Sequence, residues 1–181
     1  MAIRNIRNDG DDILRKVSKP VDRLTPSLNT LIDDMLETLD NADGAGLAAV
    51  QVGILRRIAI VKSPENDKTY VLINPEVLEK DGNQEKLEAC LSIANLAGLV
   101  KRPTKIRIKA QNRHLQEFIL EATDLFAIVV SHELDHLDGI LFTDVATKIV
   151  ENNSPEYRAI LEKEDRQEKR AKRKRLRQAR A

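Results

Sequence analysis

One stretch narrows the possible folds of this chain more than any other. From Asp124 to Gly139 it reads Asp-Leu-Phe-Ala-Ile-Val-Val-Ser-His-Glu-Leu-Asp-His-Leu-Asp-Gly, apolar on most sides for two turns and then crowded with ionisable groups. A helix that is apolar all round is a buried one. Asp124 stands where an N-cap would, and Gly139 is a natural C-terminal stop, so the pattern predicts a central helix. His132 and His136 are four apart and project from one face, which suits two ligands of one metal ion. Glu133 lies about 100° further round, within reach of the edge of such a site. Five-residue patterns of this kind also occur by chance, and a histidine pair can be a satisfied core pair. Against that, two of the three histidines of the chain are here, and ionisable groups in an apolar helix need partners. A catalytic metal usually takes three protein ligands. The residues alone leave the third open. Cys90, the single thiol, reads by default as a small buried hydrophobe, and an acidic side chain serves equally in some zinc peptidases.

The rest of the chain frames this helix. Its 181 residues suit one domain, or one domain with an appendage. Asp11 or Asp12 can cap a short helix over Ile13-Leu14. Thr25-Pro26 opens a clearer one, in which Leu28, Leu31, Ile32, Met35, Leu36 and Leu39 form one apolar stripe that stops near Asn41–Gly44. Strand-like runs follow at Arg57–Val61, Tyr70–Ile73 and Glu76–Leu78, separated by Ser63-Pro64, Asn74-Pro75 and Asp81-Gly82-Asn83 as turns. Lys105–Ala110 alternates and pairs with Phe118–Ala122 across a turn near Asn112-Arg113. Ser154 caps a last helix with Pro155 at its first position. Strands grouped between helices predict an α+β fold.

Charge is unevenly spread. Leu161 to Ala181 holds ten Lys/Arg and four Asp/Glu, a net +6, so with +1 for the whole chain the remainder carries −5. Such a run is most often a solvated helix face, but it also suits an anionic partner. One cysteine excludes an internal disulfide framework. No apolar run approaches the roughly 18 residues of a membrane span, and the N-terminus has no apolar signal core, so the expected setting is the cytoplasm, away from membranes.

Three segments then act together: Gly44-Ala45-Gly46-Leu47-Ala48-Ala49-Val50-Gln51, Glu88-Ala89-Cys90-Leu91-Ser92, and His132-Glu133-Leu134-Asp135-His136. In this order and spacing they resemble the G-x-G-L-A-A-x-Q, E-G-C-L-S and H-E-x-D-H motifs of the peptide deformylases, a similarity that covers residues 1 to about 146. The resemblance implies antiparallel sheets packed around the metal-binding helix, with a C-terminal helix after them. It divides the chain into a catalytic domain, 1–146, and a C-terminal helix with basic tail, 147–181, whose end beyond Glu168 is expected to fray. It implies Cys90, His132 and His136 as metal ligands, holding Fe(II), with Ni, Co or Zn able to substitute. The implied reaction is hydrolysis of the N-formyl group of formylmethionine on nascent polypeptides by metal-activated water, with Glu133 as general base. Gln51 and the Leu91 N–H stabilise the oxyanion, Gly46 offers its backbone to the peptide, and Leu125, Ile128 and Val129 line the methionine pocket. Glu88 pairs with Arg102 to fix the Cys90 strand, Asp135 orients neighbouring groups, and His114 has no role.

Four positions depart from the family pattern: Ala89 replaces Gly, Ala94 replaces Pro, Asp124 stands where Gly is common, and Ala97 occupies a rim position often held by Arg. If position 89 needed a positive φ, a Cβ there would cost about 1 kcal/mol or more. The family also implies a ribosomal contact for the basic tail, through rRNA phosphates. Two other readings stay open at the level of residues: an H-E-x-x-H metallopeptidase with a His or Glu third ligand, and a non-catalytic ribosome- or RNA-binding protein with a relic metal site.

Overall fold

The computed structural model describes residues 2–178, in backbone only at 167–168 and 171–178. Helix α1 (Pro26–Asn41) begins where expected: the Thr25 hydroxyl accepts from the Leu28 N–H, and Pro26 takes the first position. Strand β1 (Gly46–Ala48) pairs antiparallel with β2 (Ile58–Lys62), and β2 with β3 (Thr69–Asp81). Strands β6 (Lys105–Gln111) and β7 (Glu117–Thr123) complete a five-stranded sheet in the order β1-β2-β3-β6-β7. A second sheet, β4-β5-β8, is built from Gln84–Cys90, Ile93–Arg102 and Ala146–Glu151. Helix α2 (Asp124–Leu137), the one-turn α3 (Phe142–Val145) and α4 (Pro155–Gln178) complete an α+β fold of antiparallel sheets with a C-terminal helix.

Strand β2 shows how the apolar pattern builds the core. Side chains alternate across a strand. Ile58 and Ile60 therefore face the cluster made with Leu31, Ile32, Met35 and Leu39 of α1. Ala59 and Val61 face the cluster made with Ala127, Val130, Leu134 and Leu137 of α2. Because the sheet is covered on both faces, this segment reads as a continuous apolar run without polar alternation. A third cluster, Leu14, Ile93, Val100, Leu141 and Phe142, sits against the smaller sheet and includes Cys90 at its margin.

Several expectations need correcting. Tyr70–Ile73 and Glu76–Leu78 are not separate strands around a turn. They are halves of β3, which shifts register between Ile73 and Glu76. Asn74 bends the strand at φ +50°, and its side chain is bonded to both the N–H and the C=O of Val21. Strands β1, β4, β5 and β8 have no clear periodic signature; β4 is mostly polar (Gln-Glu-Lys-Leu-Glu-Ala-Cys). Asp124 is the first helical residue of α2 rather than its cap, and Thr123 holds the cap position without a side-chain bond. Asp124 has φ +48°, a left-handed conformation that is free of strain only for Gly and tolerated by Asp. Residues 147–151, assigned from the sequence to the appendage, lie in β8, which pairs with β5. Helix α4 is capped by Ser154, whose hydroxyl accepts from the Tyr157 N–H, and is described to Gln178; the expectation of a frayed terminus falls partly on 179–181, outside the described residues. Among the described residues no helix is long and apolar enough to cross a membrane.

The end of α2 is locked by Gly139. It adopts φ +74°, and a Cβ there would lie 2.6 Å from the carbonyl oxygen of Arg15. The same N-terminal segment bonds the helix end directly, the Ser18 N–H donating to the Leu137 carbonyl at 2.8 Å. Gly139→Ala must both strain the backbone and push this segment away. It is expected to lower stability by about 2 kcal/mol, a fall in Tm of roughly 4–8 °C, measurable by thermal unfolding.

Candidate metal centre

Helix α2 delivers His132, Glu133 and His136 into the interior, all three buried. Strand β4 brings Cys90 to them from the other sheet. The ligand-type atoms of Cys90, His132 and His136 lie within 4.8 Å of one another, forming a possible metal site. The Cys90 Sγ is 3.2 Å from His136 Nε2. His132 Nδ1 is 2.9 Å from Glu88 Oε2, which leaves its Nε2 for a ligand. Phe142 of α3 stacks against the His132 ring at 6.4 Å between centroids.

Behind the three groups stands a buried ionic network. Arg102, the last residue of β5, grips Glu88 with both ends of its fork, Nε to Oε1 at 2.7 Å and Nη2 to Oε2 at 3.0 Å. Its Nη1 donates to Asp135 Oδ2 at 2.6 Å. Burial works against charge on Glu88, but the bonds from His132 and Arg102 outweigh it and hold the carboxyl below its usual range. Burial likewise opposes a charged His132, yet Cys90 and Glu88 beside it push the imidazole up to about 10. His136 is driven well below the usual range, by burial first and then by the positive charges of His132 and Arg102. The charges that favour a proton on His132 also favour a metal cation in its place, with proton release.

Glu133 is shaped by a different constraint. Burial pushes its carboxyl up to about 7, and its Oε2, like His136 Nδ1, has no hydrogen-bond partner among the described residues. A Cβ on Gly46 would fall 2.4 Å from Glu133 Oε1. The missing side chain at 46 is thus what gives the carboxylate its room. Gln51 sits on a 3-10 turn (Ala49–Val52). Its Oε1 accepts the Ala48 N–H at 2.8 Å, which turns its NH2 toward Ser92 Oγ (3.1 Å) and Cys90 Sγ (3.6 Å). A sulfur–imidazole donor set, a free buried carboxylate and an oriented amide donor converge at one point. That combination fits a divalent metal with a proton acceptor beside it.

All of these groups except His136 line a cleft of about 320 Å³. Gly46, Gln51, Glu88, Cys90, Leu91, Leu125, Ile128, Val129, His132 and Glu133 all reach its wall, whereas His136 and Arg102 lie behind it. The three aliphatics differ: Ile128 is buried, Val129 half-buried, and Leu125 stands at the mouth, 56% exposed. His114 lies in the β6–β7 turn, away from the cleft. Two of the departures read differently in three dimensions. Ala89 is extended within β4 and is not among the residues with positive φ, so its Cβ causes no strain. Ala97 is not a rim residue but fully buried in β5, paired with Ala89 and Val150. Ala94 lies in β5 beside Asn95, which has φ +65°. Sequence reasoning missed Ser92, which is buried, accepts from Gln51 and approaches the Cys90 sulfur with its own N–H at 3.4 Å. Its position two residues after the thiol was the available signal.

Comparison with known proteins agrees with this geometry. The family model for polypeptide deformylase matches residues 3–152. The peptide deformylase of Acetivibrio thermocellus is 48% identical over 158 residues, 87% of this chain and 92% of that protein. Peptide deformylase 1 of Clostridium acetobutylicum is 52% identical over 144 residues, 80% of this chain and 95% of its own. The crystal structure of a peptide deformylase from Legionella pneumophila superposes with a TM-score of 0.77 at 36% identity, covering 93% of this chain and 99% of that one.

The network makes one residue a sensitive probe. Arg102→Met leaves Glu88 buried without its counter-charge, and breaking such a pair costs about 3–5 kcal/mol. Chemical denaturation should show a loss of that size, clearly larger than for removal of an exposed partner such as Lys105, which is paired with Glu121.

Proposed function

Because the chain belongs to the peptide deformylase family, metal-dependent hydrolases that remove the formyl group from nascent polypeptides, we propose that Cys90, His132 and His136 hold its metal ion and that Glu133, Gln51 and Leu91 carry out the proton transfer and charge stabilisation. The observation that carries this reading is the convergence of the three donors with a buried, unpartnered Glu133 carboxylate oxygen. The metal is Fe(II), with Ni, Co or Zn able to substitute; when bound, it supplies Lewis acidity that makes water a nucleophile near neutral pH and polarises the formyl carbonyl. Glu133 takes a proton from the attacking water and delivers it to the leaving amine nitrogen. Gln51 Nε2, oriented through its carbonyl by the Ala48 N–H, and the backbone N–H of Leu91 donate to the developing oxyanion. Glu88 and Arg102 act as positioning residues, fixing the ring of His132 through its Nδ1.

The cleft suits an extended peptide. β1 is an edge of the larger sheet and β4 an edge of the smaller one, and Gly46 of β1 and Leu87–Cys90 of β4 line the same cavity. Unpaired strand edges accept a peptide as an added strand. Ile128 and Val129, with Leu125 at the mouth, form the apolar wall for the methionine side chain. The catalytic body on this reading extends through β8, with α4 appended to it. The enzyme works in the cytoplasm on chains leaving the ribosome, and the basic run Lys169–Arg180 meets rRNA phosphates. Neither an H-E-x-x-H endopeptidase nor a relic RNA-binding site gains support from the geometry, since Cys90 faces His136 and the base and amide donor are both in place.

Three outcomes are expected. Anaerobically purified protein loaded with Fe(II) or Ni(II) releases formate from formyl-Met-Ala-Ser, and Glu133→Ala lowers kcat by about 10²–10⁴-fold while retaining metal. Cys90→Ser lowers metal content, which an endopeptidase with another third ligand would not show. Truncation after Glu168 abolishes co-sedimentation with ribosomes at low salt; unchanged co-sedimentation would rule out the tail as the contact.

A further inference from the structure

Among the described residues, helix α4 reaches the cleft wall through the carboxylate of Glu164. It packs against both β8 and β4, and Glu164 Oε1 accepts the backbone N–H of Leu87 at 3.0 Å. The second carboxylate oxygen lies 3.9 Å from Lys86 Nζ, and the Glu164 side chain is only 19% exposed. β4 pairs with β5 on one side only. Along an antiparallel strand, successive residues direct their N–H and C=O to opposite edges. Since Leu87 turns its N–H away from β5, toward Glu164, Ala89 two residues on presents its own N–H and C=O to the same open edge. Both residues line the cleft, and Ala89 is the one next to Cys90.

Resting on the deformylase reading, the geometry points to Glu164 as a specificity-determining residue that limits how far a formylated peptide can pair along β4. A peptide with its formyl group at Cys90, His132 and His136 meets Ala89 first. Continuing along the edge, it meets Leu87 about 6.6 Å further on, two residues later. There the N–H is already taken by Glu164. Strand addition therefore ends at Ala89, and the enzyme reads only the first few residues of its substrate. Later residues leave the edge unless Glu164 gives way. The nascent chain and the C-terminal helix thus compete for one hydrogen-bond donor.

The test compares kcat/KM for formyl-Met-Ala with that for formyl-Met-Ala-Ser-Ala-Ser-Ala in the metal-loaded full chain, its Glu164→Ala variant and its Glu164→Gln variant. Freeing one backbone donor for the longer peptide should raise the long-to-short ratio about threefold to tenfold in Glu164→Ala. Glu164→Gln should keep the wild-type ratio, because its amide oxygen still accepts from Leu87. The dipeptide rate should be the same in all three, which reports that α4 still supports the site. A ratio unchanged in Glu164→Ala, or shifted equally in Glu164→Gln, overturns the assignment while leaving deformylation intact. Absence of formate from both peptides with the wild type overturns the deformylase reading itself, and this inference with it.

Discussion

The fork of Arg102 around Glu88 is the contact on which the centre depends. It joins the end of β5 to β4 two residues before Cys90, and through His132 Nδ1 and Asp135 it joins both to α2. A buried ion pair is a poor source of net stability, because desolvation offsets most of the attraction. Its value here is geometric. Histidine ligands are set by what their second nitrogen bonds, so an anchored Glu88 fixes the His132 ring. The same guanidinium reaches Asp135, in the turn between His132 and His136, which ties the helix's rotation to the strand that carries the thiol.

The site forms where two sheets end. The larger sheet is held between α1 and α2, with β2 buried on both faces, and it terminates at β1. The smaller sheet terminates at β4. Neither edge continues into another strand, and the cleft lies between them, floored by α2. That arrangement explains why glycine is required at 46: the edge strand runs so close to α2 that a Cβ would collide with Glu133. It also explains why α4, which starts beside β8, reaches β4 with a carboxylate: an edge strand has backbone donors that need partners.

The two long helices of the body were legible because their apolar residues recur with helical spacing and their ends carry chemical marks: Thr25-Pro26 for α1 and Gly139 for α2. Strands that alternate, such as Lys105–Ala110, or that run apolar between turn residues, such as Arg57–Val61, were also legible. β4, β5 and β8 were not. Their sequences are mixed in polarity because the sheet they form is small and largely exposed on one side, so pairing rather than pattern defines them. Asn74-Pro75 misleads for a related reason: it has the composition of a turn, but Asn74 spends its turn-forming capacity bridging Val21 while the strand continues. Ala97 misleads because rim and core cannot be told apart along a strand whose partners are unknown.

The sequence by itself determined the chemistry on offer. Two histidines one helical turn apart, a glutamate between them, one thiol and one glutamine in recognisable segments restrict the reaction, because spacing within a helix places side chains without help from the rest of the fold. What the tertiary structure alone decided is which of these groups meet and how each is held. Cys90 is 42 residues from His132, and no local rule brings them together; the antiparallel pairing of β4 with β5 and the buried Arg102 do. The protonation preferences follow the same division. An isolated Glu or His has its ordinary affinity for protons, and only the exclusion of water around α2, together with the charged and hydrogen-bonding groups packed beside it, raises Glu133 and His132 and lowers His136.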